Sequence, residues 1–361
     1  MTEQRIRLVV LFGGQSAEHE VSCISATHVL RVVDRDRYDI EAIGITRAGH
    51  WVRAEDASAL LSGGVAALVT GALRASGEQV DPLPSLQPVR APDQPVVVLP
   101  LLHGTKGEDG TVQGMLELLG VPYVGSGVLA SALCMDKIKA KDVLAAHGLP
   151  QVRWLGLHET ELGSLRSRVA DAALAYPLFV KPANLGSSVG VSKVTDPSEL
   201  EEAATLAATY DEWVVVEEGV EGAREIEVGV LGDLEPRASV PGEVIPGHDF
   251  YDYEDKYVDD AVQLVVPAVL SPEATEAAQQ LAVRAYRALR CEGMARVDLF
   301  LDPDTDALVV NEVNTIPGFT PVSQFPRMWE ASGVPYPELI DELVRLALAR
   351  HERRSRLSIK R

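Results

Sequence analysis

Met294-Ala295-Arg296-Val297-Asp298-Leu299-Phe300 and, after a short connection, Ala307-Leu308-Val309-Val310-Asn311-Glu312-Val313-Asn314 are the two stretches on which the architecture of this chain turns. Both alternate polar with apolar residues, the period of a half-buried strand. Arg296 and Asp298 therefore share one face of the first strand, and Glu312 and Asn314 share one face of the second. If the strands are neighbours, three oxygen donors and one guanidinium converge. Asp, Glu and Asn oxygens without His or Cys suit Mg²⁺ or Mn²⁺, with substrate phosphates completing the shell. An arginine beside them can stabilise developing negative charge. The same spacing also fits an exposed polar face on a hairpin. Thr315-Ile316-Pro317-Gly318 adds a tight loop at the strand end.

Outward from this pair, the same third unit holds Glu225 to Leu231, again alternating acidic and apolar. It also holds a long Ala-rich helix opened by Ser271-Pro272-Glu273. An amphipathic helix from about Pro337 follows, and the basic stretch after Ala349 is expected to fray. A second unit reads as a helix opened by Asp136, a strand Leu178 to Lys181, a helix started by Asp196-Pro197 and a strand Trp213 to Glu217. At the other end of the chain, Ile6 to Phe12 is a continuous apolar run, the mark of a strand buried on both faces of a parallel sheet. Tyr38 to Ile45 and Val96 to Leu101 continue the strand–helix–strand order of an α/β protein. Residues 74–95 carry Pro82, Pro84, Pro88, Pro92 and Pro95, which predicts a surface insertion rather than core.

Three loops carry further chemistry. Lys181-Pro182-Ala183-Asn184-Leu185-Gly186-Ser187-Ser188-Val189-Gly190 ends a strand on a lysine and continues as a Gly/Ser loop, which can wrap backbone N–H groups around phosphate. It is no Walker A loop, because the lysine precedes the glycines. Gly13-Gly14-Gln15-Ser16-Ala17-Glu18-His19-Glu20 follows the first strand but lacks GxGxxG, and its acidic residues suit an ammonium better than a pyrophosphate. His103-Gly104-Thr105-Lys106-Gly107-Glu108-Asp109-Gly110 sits at the carboxyl edge of the sheet, where open α/β proteins bind ligands. Phe250-Tyr251-Asp252-Tyr253-Glu254-Asp255-Lys256-Tyr257 reads as a lid over a charged ligand. Each loop, taken singly, also fits a plain surface turn, and Lys137 taken singly fits a solvated helix face.

Composition narrows the classes. The 361 residues imply two or three domains. There are 33 lysines and arginines against 53 aspartates and glutamates, a formal charge of −20. So acidic a surface repels nucleic-acid backbones. Cys23, Cys134 and Cys291 are widely spaced without a CxxC pair, which argues against a disulfide framework or zinc site and for a reducing cytoplasm. Met1 to Arg7 leads straight into a strand-like run, so no signal peptide is expected. The uncharged stretch Ala57 to Leu73 is broken by Ser, Thr and Gly, and falls short of the ~20 apolar residues of a membrane span.

Together and in this order, these motifs resemble the D-alanine–D-alanine ligase family of the ATP-grasp superfamily, from the first strand to about Pro335. The resemblance implies three α/β domains: residues 1–127 with the first substrate site, 128–218 as the central subdomain and 219–349 with the metal site and lid. A basic tail, 350–361, would follow. It implies ligation of two D-alanines with ATP through D-alanyl phosphate, two Mg²⁺ or Mn²⁺ ions, a homodimer and a cytoplasmic location. Glu18 would anchor the first D-alanine's ammonium, with Ser187 linking it to the lid tyrosine, Tyr257. Lys137, Lys181 and Lys256 would contact ATP phosphates, with Ser188 in the same loop. Phe250 would cover the adenine, Glu217, Glu218 and Val220 would form the hinge that reads its edge, and Glu225 would bind the ribose. Asp298, Glu312 and Asn314 would be metal ligands and Arg296 the oxyanion donor. Gly318 and Ser323 would hold the second D-alanine's carboxylate, and His103 belongs to the site without a fixed role. A D-Ser or D-lactate ligase, another ATP-grasp ligase or a non-catalytic nucleotide-binding regulator are the competing readings. Tyr257 argues against D-lactate, the Glu18 loop against other ATP-grasp enzymes and Arg296 against mere binding.

Overall fold

The computed structural model describes residues 5–61, 72–86, 94–246 and 262–358. The apolar run at the N-terminus forms β1 (Ile6–Gly13), followed by α1 (His19–Val32) and β2 (Tyr38–Ile45). Then come β3 (Trp51–Ala54), α2 (Glu55–Leu61), β4 (Gly77–Gln79), α3 (Pro82–Leu86) and β5 (Val96–Pro100). β1 lies parallel to β2 on one side and β5 on the other, and β3 and β4 extend the edge antiparallel, giving the order β4-β3-β2-β1-β5. Leu8 to Phe12 are fully buried, as a strand covered on both faces requires. The described residues of the proline-rich stretch lie mostly at the surface, as expected, with Leu86 the exception. β4 pairs with β3, and Leu86 is buried in the core beneath. Pro82 and Pro84 are tolerated because they fall in the first turn of α3, where backbone N–H groups have no partner within the helix.

After α4 (Thr111–Leu119), α5 (Val128–Met135) and α6 (Lys137–Ala146) follow in quick succession. Asp136 caps α6, accepting from Lys139 N at 3.0 Å. A four-stranded antiparallel sheet comes next, built from β6 (Trp154–His158), α7 (Leu165–Asp171), β7 (Leu178–Pro182), β8 (Ser192–Val194), α8 (Leu200–Ala208) and β9 (Trp213–Glu218). Its order is β6-β9-β7-β8. α8 begins at Leu200 rather than at Pro197. The Asp196 side chain instead closes a local turn onto Ser198, which competes with helix initiation.

The third sheet comprises β10 (Arg224–Leu231), β11 (Arg237–Ala238), β12 (Gly242–Ile245), β13 (Gln263–Val265), β14 (Met294–Leu301) and β15 (Leu308–Asn314). α9 (Pro272–Ala288), capped by Ser271, covers it. α5 and α6 pack into the same core through Ala130, Cys134, Ala140 and Leu144. Ile138 of α6 touches Ala183 and Val215 of the second sheet, so this helical hairpin bridges the two sheets. The chain ends with α10 (Gln324–Ala331) and α11 (Tyr336–Ser355). Leu339, Leu343 and Leu346 of α11 share a core with Leu8 and Val97 of the first sheet, tying the C-terminal segment to the N-terminal one.

α11 does not fray after Ala349. Arg350 is 3% exposed, donates to the carbonyls of Tyr123 (2.7 Å) and Gly125, and stacks on the Tyr123 ring at 4.4 Å. Arg353 and Arg354 pair with Asp233, Glu292 and Glu117, so the basic run is docked by acidic partners distant in sequence.

Candidate active site

β14 and β15 are adjacent and antiparallel, and Arg296 pairs in register with Asn314 and Asp298 with Glu312. The two-residue period of each strand thus puts all four side chains on one face. Asp298 is held from two sides. The Arg296 fork takes both its oxygens at 2.7 Å, and Asn314 Nδ2 donates to Oδ2 at 2.9 Å. Arg296 also meets Glu227 of β10, with Nε 3.3 Å from Oε1. Burial disfavours the guanidinium charge, but Asp298 and Glu227 outweigh it and keep Arg296 a cation.

Two cavities meet at this face. One, about 420 Å³, is reached by Glu18, His103, Glu108, Gly318 and Ser323; the other, about 370 Å³, by Lys181, Ser188, Glu217, Glu218, Val220 and Glu225. Lys137, Ser187, Glu227, Arg296 and Glu312 belong to the walls of both. A polar chamber therefore opens directly onto a second one, with a guanidinium at the junction.

In the first chamber, Glu18 stands at the N-terminal end of α1, and Ser187 Oγ donates to its Oε1, joining two loops 169 residues apart. Two glycines make room for that carboxylate. A Cβ on Gly104 (φ +75°) would lie 2.8 Å from Glu18 Oε2, and one on Gly186 2.9 Å from it. His103 is buried, and burial pulls its imidazole below the usual value despite the nearby Glu18 charge. Its Nδ1 lies 3.0 Å from the Ile316 carbonyl, so a neutral ring must carry its proton there. Glu108 accepts from Gly104 N (2.8 Å) and Ile316 N (3.0 Å). His103 and Glu108 together fix the loop after β15 against the N-terminal sheet. Ser323 Oγ accepts from Thr320 N at 3.0 Å and sits beside Gly318, where a Cβ would be only 2.6 Å away.

In the second chamber, Phe179 and Lys181 project from the same face of β7, two residues apart, and both line the wall. Lys181 pairs with the buried Glu217 of β9. Lys137 Nζ donates to the Leu185 carbonyl at 2.7 Å, drawing α6 to the Gly/Ser loop. Ser187 and Ser188 both adopt positive φ (52° and 57°), a tight left-handed turn at the wall of the chamber. Glu218 accepts from Ala175 N at 2.6 Å and pairs with Arg153 at 2.6 Å, which fixes the β9 end. Phe250, Lys256 and Tyr257 lie outside the described residues.

Three residues of this region carry no role in the sequence reading. Glu108 lies within a quoted motif but shows no periodicity that marks it as buried. Glu227 was signalled by the acidic alternation from Glu225. Lys141 lies four residues after Lys137, a spacing that puts both on one helix face and could have singled it out.

An antiparallel sheet carrying a cationic Gly/Ser loop, set against a second sheet with a carboxylate–amide–arginine face, defines an ATP-grasp enzyme. Comparison with known proteins agrees. The families described as D-ala D-ala ligase N-terminus and D-ala D-ala ligase C-terminus match residues 7–126 and 143–345. A D-alanine--D-alanine ligase of Bacillus cytotoxicus is 43% identical, with 98% of each chain covered. The solved D-alanine-D-alanine ligase of Coxiella burnetii superposes with a TM-score of 0.81 at 38% identity, covering 98% of this chain and 96% of that one. The VanG D-Ala:D-Ser ligase of Enterococcus faecalis also superposes with a TM-score of 0.81, at 36% identity over 95% of this chain and 100% of that one. The chain belongs to the D-alanine–D-alanine ligase family.

Proposed function

We propose that this protein joins two D-alanines into D-alanyl-D-alanine, a precursor for peptidoglycan, with cleavage of ATP to ADP and phosphate. The observation that carries this reading is the shared wall of the two chambers. An amino acid held at Glu18 and a nucleotide held at Lys181 would meet at Arg296. Glu18 binds the first ammonium, oriented by Ser187. Lys137 and Lys181 draw the phosphates, and the first D-alanine's carboxylate attacks the γ-phosphorus as the bond to ADP breaks. The second D-alanine's amine then attacks the acyl carbon. Arg296 stabilises the tetrahedral oxyanion that forms with the C–N bond, which then collapses as the C–O bond breaks, the phosphate leaves and the amine's proton passes to phosphate or solvent. Gly318 and Ser323 receive the second carboxylate. Glu217, Glu218, Val220 and Glu225 hold the adenosine, with Phe250 covering it. Lys256 and Tyr257 act from the lid.

Asp298, Glu312 and Asn314 present oxygen donors alone, which fits Mg²⁺ or Mn²⁺. Among the described residues no cluster of three or more His, Cys, Asp or Glu side chains could hold a metal. The set is thus two carboxylates and one amide, and substrate oxygens must complete the shell. Two such ions, when bound, would neutralise phosphate charge.

The same reading divides the chain at 127, 218 and 349, each sheet lying within one part and the α5–α6 hairpin bridging the last two. A need for ATP supports a cytoplasmic location, and the family resemblance supports a homodimer. Among the described residues no helix is long and apolar enough to cross a membrane. The test is phosphate release from ATP with and without D-alanine. Release that depends on D-alanine and yields dipeptide is expected. Release indifferent to D-alanine would overturn the reading.

A further inference from the structure

Glu217 is buried between two lysines. Lys181 reaches one carboxylate oxygen from β7, and Lys141 reaches the other from α6 at 2.9 Å, with only 3% of the Lys141 side chain exposed. Lys181 lines the nucleotide chamber and Lys141 does not. Burial pushes the Glu217 carboxyl up, but Lys141 and Lys181 together overcome it and hold the group at about 2, so it stays ionised. Lys181 cannot serve Glu217 and a phosphate equally well. When a phosphate draws it away, Glu217 becomes a buried anion short of one cation, which is strongly unfavourable unless another partner remains.

We propose that Lys141 is a positioning residue that holds Glu217 from behind, freeing Lys181 to bind the ATP phosphates. The inference rests on the nucleotide assignment of the second chamber. Lys141 touches no substrate and acts only through Glu217. The triad Lys141–Glu217–Lys181 carries one positive charge in excess, and Lys181 is the member that can present it to the chamber. Without Lys141, Glu217 and Lys181 form a neutral pair and the excess vanishes.

The test compares binding of ATP and of adenosine by calorimetry, in Lys141→Met, Lys141→Arg and the double variant Lys141→Met/Glu217→Gln. Adenosine has no phosphate to compete for Lys181. Lys141→Met should therefore weaken ATP about 10- to 100-fold, the range of one charge-assisted hydrogen bond, while adenosine changes little. Lys141→Arg should keep the preference for ATP. The double variant removes the anion that traps Lys181, so its ATP-to-adenosine ratio should return toward wild type. In it Lys181 keeps only the charges of Glu312 and Glu225 as counterweight, so the Arg variant carries the test if a Met variant does not fold. Equal weakening of ATP and adenosine, or a double variant with no restored preference, would overturn the proposal. Wild-type protein that does not prefer ATP over adenosine would instead overturn the nucleotide assignment itself.

Discussion

Arg296 is bound to Asp298 through two parallel hydrogen bonds and touches Glu227, so its guanidinium is fixed before substrate arrives. A cation at the junction of two chambers suits an oxyanion donor. Arg296→Met should lower the ligation rate by about 10²–10³ and leave ATP binding close to wild type. Steady-state rates with a nucleotide-binding measurement check this, and near-normal ligation would remove Arg296 from the chemistry. Glu108 gives a prediction of another kind. Burial, with the Glu18 charge adding to it, pushes its carboxyl up to about 8 from 4.5, although two backbone N–H groups favour the anion. A carboxyl raised in the folded state stays protonated there while the unfolded chain ionises. Stability should therefore fall as pH rises from 4.5 to about 8 and level off above it. Glu108→Gln loses one acceptor and is less stable throughout, but this slope should disappear. Urea midpoints from pH 5 to 8 for both proteins decide it; equal slopes would show that Glu108 is ionised when folded.

Single strands and helices were legible where a local period governs them. The Arg296/Asp298 and Glu312/Asn314 pairs could be read because each lies two residues apart on one strand. The caps at Asp136 and Ser271 could be read because capping is local. Elements set by distant partners were not. β4 and α3 hide in a proline-rich stretch because their stability comes from β3 and the core around Leu86. The arginines of α11 look like a solvated tail because Asp233, Glu292 and Glu117 lie far away in sequence. That helix end yields a sharp contrast. Arg350→Met leaves the Tyr123 and Gly125 carbonyls unpaired in the interior and should cost about 2–4 kcal/mol. Arg354→Met, whose ion pair with Glu117 is 41% exposed on both sides, should cost less than about 1 kcal/mol. Denaturant unfolding of the two variants measures both, and equal losses would mean that Arg350 is no more than a surface charge.

At the scale of the molecule, the site exists only where three sheets meet. Glu18 comes from the first, Lys181 from the second and Arg296 from the third, and no periodicity within one segment foretells that meeting. Its components entered the sequence reading through the order of the motifs and their resemblance to a family. The contact of Ser187 with Glu18 closes the arrangement in space. The central claim is that the carboxylate of one D-alanine attacks ATP, and that the acyl phosphate so formed is consumed by the amine of another. An oxygen-labelled carboxylate tests this most directly. With D-alanine carrying ¹⁸O in both carboxylate oxygens, each dipeptide formed should release one phosphate bearing one ¹⁸O, because the bridging oxygen leaves with phosphorus. Dipeptide formed with unlabelled phosphate would contradict the account.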